Sequence, residues 1–198
     1  VPMLNHFVEQ WRSPAPPPAF VARTPVRIAD TRVGEPAAFP LIEARLPAGG
    51  VLNVPVAGAN GVPADAVAVS LNVTVVGPLQ PGFLTVYPCG AARPLASNLN
   101  YVAGQVVPNA VVTGIGAGGH VCVFSQQNTD VVIDLTGWFP ASRGFTAQPP
   151  VRLADTRMGE LVAFPAPKVR LSAGGVMQVP VAGANGVAAD ASAASLNV

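Results

Sequence analysis

Apolar and polar residues alternate with a period of two along much of this chain. The clearest case is Ala66–Val76. There Val67, Val69, Leu71, Val73 and Val75 share one face, and Ala66, Ala68, Ser70, Asn72 and Thr74 share the other. Successive side chains of an extended strand point to opposite sides, so this pattern predicts a strand with a buried aliphatic face and a small polar one. Gly82–Pro88 predicts a second strand, set off by the turn Gly77-Pro78-Leu79-Gln80-Pro81. Val51–Val56, Asn98–Val102, Ala110–Ile115, His120–Ser125 and Asp130–Phe139 predict further strands. Between them lie turn signals. Asn60-Gly61 predicts a type I′ turn, whose two central residues both need positive φ. Gly116–Gly119 reads as a Gly-rich hairpin turn, and Gln126–Thr129 as another turn. No segment of this region sustains a helical period. Short strands at close, regular spacing predict an all-β, antiparallel β-sandwich of jelly-roll type, with a small closed β-barrel as the alternative.

The pattern then recurs. Residues 26–73 and 151–198 align at a constant offset of 125 with no gap, and 34 of the 48 aligned positions are identical. That period is too long for a solenoid repeat or propeller blade and suits a whole domain. The chain therefore divides into three. Residues 1–19 are a docking segment and linker: Leu4, Phe7, Val8 and Trp11 mark one face of a short helix, followed by the stiff spacer Ser13–Pro18. Residues 20–143 are one complete unit, and 144–198 are the first part of a second copy. That part has no counterpart of Thr74–Arg143, and its last strand is weaker because Val67 and Val69 become Ser192 and Ala194. Arrays of similar domains more often display, space or bind than catalyse.

Composition narrows the setting. Half the residues are apolar, 11% are charged, and Gly and Pro supply 42 of 198. The formal net charge is +1, from ten Arg and one Lys spread singly. This gives no electrostatic footprint for nucleic acid or an anionic membrane. No apolar run is long enough to predict a membrane span, and no signal peptide is visible at residue 1, so a secreted form would be mature or cut from something larger. Cys89 and Cys122 both border strand-like runs in the complete unit. We read them as one disulfide, hence an oxidising compartment. The bond would stabilise by about 3–4 kcal/mol on the chain-entropy model.

Candidate chemistry is sparse. Arg27-Ile28-Ala29-Asp30-Thr31-Arg32 recurs as Arg152-Leu153-Ala154-Asp155-Thr156-Arg157. An Asp between two Arg can grip an anion. In a repeated motif it more readily forms a structural ion pair that pins the first strand to a turn, with Asp30 and Asp155 accepting from the flanking arginines. Loss of Asp30 would then cost about 3–5 kcal/mol. Asp130 and Asp134 fall on one strand face with Thr136 and Trp138, about 13 Å apart, too far for paired acid/base work. A calcium site would need loop oxygens such as Asp65 or Asn128, and no EF-hand-like loop is present. No GxSxG, HExxH or phosphate loop in a βαβ setting occurs, so no catalytic residue, metal or cofactor is expected. A carbohydrate contact would draw on Asn98, Asn100, Tyr101 and Trp138, with Tyr87 as a second stacking ring. The same residues also fit turn-satisfying and core roles.

The strings SLNVTVVGP, GFLTVYPCG, SNLNYVAGQVVPNAVV, GHVCVFS and TDVVIDLTGWF, after DTR and VPVAGANGVPADA, resemble a repeat of secreted and cell-surface actinobacterial proteins. The resemblance covers Phe20–Phe139 throughout and Phe145–Val198 in part. In that family the repeat often stands in tandem or beside peptidase or glycosidase domains. The resemblance implies location and architecture and carries over no catalytic residue. The expected function is a non-enzymatic extracellular module for structure, surface display or filament formation. The alternative is a carbohydrate- or cell-wall-binding module. Expected partners are neighbouring repeats or further copies, or a polysaccharide, and neither nucleic acid nor a membrane span.

Overall fold

The computed structural model describes residues 18–38, 44–141, 144–148, 150–159 and 169–198. The helix expected within residues 4–11, and nearly all of the proline spacer, lie outside them. Eight strands are described: β1 Val21–Asp30, β2 Val51–Pro55, β3 Ala66–Val76, β4 Gly82–Pro88, β5 Leu99–Tyr101, β6 Val106–Gly114, β7 His120–Ser125 and β8 Asp130–Pro140. They form two antiparallel four-stranded sheets, ordered β1-β8-β3-β6 and β2-β7-β4-β5. The fold is a β-sandwich and not a closed barrel.

The pairing is nested: β1 with β8, β2 with β7, β3 with β6, and β4 with β5. That is a long hairpin ribbon wound across two sheets, the jelly-roll arrangement. Only β4 and β5 follow one another within a sheet; every other connection crosses the sandwich. The Gly116–Gly119 segment is therefore not a hairpin turn. It carries the chain from β6 in one sheet to β7 in the other through a single 3₁₀ turn. Gly116 is required there because a Cβ would stand 2.1 Å from the Cys89 carbonyl oxygen. Asn60-Gly61 does form the predicted left-handed pair, with φ of 53° and 77°.

The core lies between the sheets. Ile28, Leu71, Leu84, Ile133, Leu135 and Val86 are among its fully buried side chains. Along β3 the predicted aliphatic face holds from Val69 to Val75, all at most 1% exposed. A register shift against β8 between Ala66 and Ala68 turns Ala66 into the core instead of Val67, while Ala68 is buried on the opposite face. A second shift changes β8. Leu71 pairs with Leu135 but Ser70 pairs with Gly137, so Thr136 is the extra residue of a bulge. One inserted residue turns the following side chains to the other face. Trp138 thus packs against the core, and it does not share the face of Asp130 and Asp134 as simple alternation predicted. β1 escapes the alternation rule because Arg23, Pro25 and Arg27 interrupt its apolar series.

The second copy behaves differently. None of its described residues, 144–148, 150–159 and 169–198, is in a strand.

Candidate functional site

The arginine–aspartate motif sits where β1 ends beside β8. Asp30 is 2% exposed. Its Oδ1 accepts from the backbone N–H and Nε of Arg32, both at 3.0 Å, and its Oδ2 accepts from Arg32 Nη2 at 2.7 Å. Arg27 donates to Asp30 Oδ2 at 3.3 Å and to Asp134 Oδ1 at 3.1 Å, across the β1–β8 pair. Burial pushes the Asp30 carboxyl up, but the Arg32 hydrogen bonds and the two guanidinium charges outweigh it and hold it below the usual carboxylate range. The same bond to Asp30 raises Arg32.

The residue between them matters too. Thr31 Oγ1 accepts from the Val131 N–H at 2.9 Å and donates to Asp130 Oδ1 at 3.0 Å. Asp130 Oδ2 is held by Arg45 Nε at 3.0 Å. Thr31, Asp130 and Arg45 were not foreseen as parts of this cluster. The sequence signal was weak: a Thr inside the repeated motif, and an Arg whose partner lies 85 positions on. Asp130 and Asp134 are each engaged by an arginine. Among the described residues no cluster of His, Cys, Asp or Glu could hold a metal ion. The arrangement can lock β1 to β8. Its polar atoms face one another, which suits that task better than gripping an anion.

In the second copy, Asp155 accepts from Arg157 N–H, Nε and Nη2 at 2.9, 3.0 and 2.6 Å and from Arg152 at 3.2 Å. The Arg157 hydrogen bonds hold its carboxyl well below the ordinary range.

Cys89 and Cys122 form a disulfide with their Cα atoms 5.0 Å apart. It ties the end of β4 to β7 and packs with Tyr87 against Phe124. Phe124 is in turn covered by the Arg93 guanidinium, 4.1 Å from the ring centroid. Tyr87 is thus part of a closed cluster and offers no open stacking face.

The residues considered for carbohydrate contact are not brought together. Asn98 Oδ1 accepts from the Val86 N–H at 2.7 Å, and its carbonyl accepts from the Asn109 amide. Tyr101 is 4% exposed, and its hydroxyl bonds Ser125 Oγ at 3.0 Å and accepts from the Gln127 N–H at 3.2 Å. Trp138 lies in the other sheet and packs on the core. Only Asn100 is exposed. The physical reason is strand alternation: with Leu99 and Tyr101 facing the core, Asn100 alone of β5 faces out.

Two features join the copies. Phe139, near the end of β8, lies between Phe20 and Phe145, with ring centroids 4.9 Å and 4.1 Å away. Beyond it, a cleft of about 840 Å³ separates Ala110–Gly114 of β6 from second-copy residues including Ala147, Val187 and Leu196. Asn197 bridges its rim, accepting from Asn109 at 3.1 Å and donating to the Ser97 carbonyl at 2.8 Å.

Comparison with protein-family models, curated proteins and solved structures returns no match.

Proposed function

We propose that this chain is a non-enzymatic, extracellular β-sandwich module, one structural unit of a tandem array that displays or spaces other domains at a surface or builds a filament. The observation that carries this reading is where the chain enters and leaves. Val21 at the start of β1 pairs with Trp138 near the end of β8, and the next copy opens at Phe145. A module whose two ends lie side by side can be added to or removed from a chain without disturbing its own core. The inward-facing polar cluster supports the same reading, since Asp30, Asp130 and Asp134 serve the β1–β8 seam. The disulfide supports an oxidising compartment, and the resemblance to secreted actinobacterial repeats points the same way.

Incubation of the purified chain with insoluble cell-wall polysaccharides tests the proposal. It predicts no retention beyond that of an inert control protein. Retention released by a soluble sugar would replace it with a carbohydrate-binding role.

A further inference from the structure

Phe20 and Phe145 occupy the same position in successive copies, since 145 − 20 gives the repeat offset of 125. Both rings lie on one residue of the first unit, Phe139. The Phe20 ring is tilted at 45° to it, and the Phe145 ring is stacked at 24° with centroids 4.1 Å apart. Gly137 makes room for this group, because a Cβ there would stand 2.3 Å from the Phe20 ring. The opening residue of each copy therefore rests on the closing strand of the first unit.

We propose that Phe139 is the joint between consecutive units, and that its occupant is the opening phenylalanine of the following copy. The inference rests on reading the chain as tandem modules and adds how one module holds the next. Five residues lie between Phe139 and Phe145, a tether of six Cα–Cα steps that reaches about 20 Å when extended. Stacking pulls the two rings to contact and fixes the start of the second copy against the end of the first. Offset or tilted aromatic pairs add binding beyond the area they cover, and a short tether keeps the effective concentration of the second ring high. In a longer array each unit would repeat the arrangement. Phe139 equivalents would then hold their own opening ring on one side and the neighbour's on the other, and successive units would hang from a run of stacked rings.

Nuclear Overhauser contacts and ring-proton chemical shifts on the full chain test this. Contacts between the ring protons of Phe139 and Phe145 are predicted. Phe145→Ala should remove them and shift the Phe139 ring-proton resonances through the lost ring current, with the melting temperature of the sandwich unchanged. Phe145→Tyr should restore both the contacts and the shifts. Absence of ring contacts in the natural chain, or Phe139 ring shifts unaltered in the Ala variant, overturns the proposal. So does a loss of melting temperature in Phe145→Ala as large as that in Phe20→Ala, which would make Phe145 a core residue. Retention on polysaccharide would overturn the display function and leave these readouts untouched, so the two proposals fail separately.

Discussion

The two copies carry nearly the same sequence and reach different structures. Their turns agree closely. Asn60 and Gly61 have φ of 53° and 77°, and Asn185 and Gly186 have 52° and 84°. The Gly58 N–H reaches the Val62 carbonyl at 3.0 Å, as the Gly183 N–H reaches that of Val187. The Gly50 to Pro47 bond and its equivalent, Gly175 to Ser172, are both 2.9 Å. The arginine–aspartate bonds agree within 0.1 Å. The strands do not agree. Residues 21–30, 51–55 and 66–76 are strands, while the described equivalents, residues 146–148, 150–155, 176–180 and 191–198, are not.

The nested topology explains the split. β1 pairs only with β8, β2 only with β7, and β3 with β6 and β8. Every strand of the first half thus takes its ladder from the second half. The residues that would supply β4 to β8 of the second copy have no counterpart among these 198. A turn closes on bonds within a few residues and forms without help. A strand needs a neighbour for its backbone groups and a facing sheet for its apolar side chains. Leu71 is 1% exposed in β3, whereas its equivalent, Leu196, is 57% exposed.

This difference can be broken in graded steps. The largest effect should come from the disulfide, which lies wholly in the complete unit. Replacing both Cys89 and Cys122 by Ala should lower its unfolding free energy by about 3–4 kcal/mol, measured by urea denaturation, and leave the second copy's amide spectrum as it was. Arg32→Ala should follow at about 2–3 kcal/mol. It deprives buried Asp30 of its main partner, but Arg27 remains and Arg32 is a third exposed, which moderates the loss. Arg157→Ala, the same change in the second copy, should leave the melting temperature of the sandwich unchanged. Asp30→Ala should cost less than the roughly 3–5 kcal/mol the sequence suggested, because Arg27 keeps Asp134, Arg32 keeps Glu35, and both arginines reach solvent at 37% and 32% side-chain exposure. Gly116→Ala should lose about 2 kcal/mol by overpacking against Cys89.

The smallest effect should be on pH dependence. The folded carboxyl of Asp30 lies below its ordinary value, so its stabilisation is complete above about pH 4 and fades as pH falls through the lowered value. Asp30→Asn should flatten that acid limb. An unaltered limb in a stability–pH profile would move the acid sensitivity to another carboxylate.

These contrasts show what the sequence could reveal. β3, with its alternation, and β4 and β7, apolar runs set off by turn signals, have the limits that the sequence predicted. The Asn60-Gly61 turn was equally legible, because both its conformation and its cause are local. Bulges were not. The slip at Thr136, which moves Trp138 inward, depends on register with β3, and Gly137, an isolated glycine within β8, is its one local hint. The Gly116–Gly119 connection was misread for a related reason: alternation locates strands but does not assign them to sheets. Of the motif, Asp30 with its neighbouring arginines was readable, whereas Arg45 and Asp130 meet only once the sandwich has formed. The aromatic group around Phe139 could have been sought through the shared offset of Phe20 and Phe145, but its third ring follows from the fold alone.

Residue-resolved hydrogen–deuterium exchange of the full chain compares the two copies most directly. If strands form only where partners are present, the Leu71, Val73 and Val75 amides are strongly protected and Leu196 and Val198 exchange fast, nearly unprotected. The same dependence on partners leaves the chemical shifts of the Asn60-Gly61 and Asn185-Gly186 turns matched. Protection of Leu196 and Val198 equal to that of Leu71 and Val73 in the monomeric chain would contradict it, because those strands would then have formed without partners.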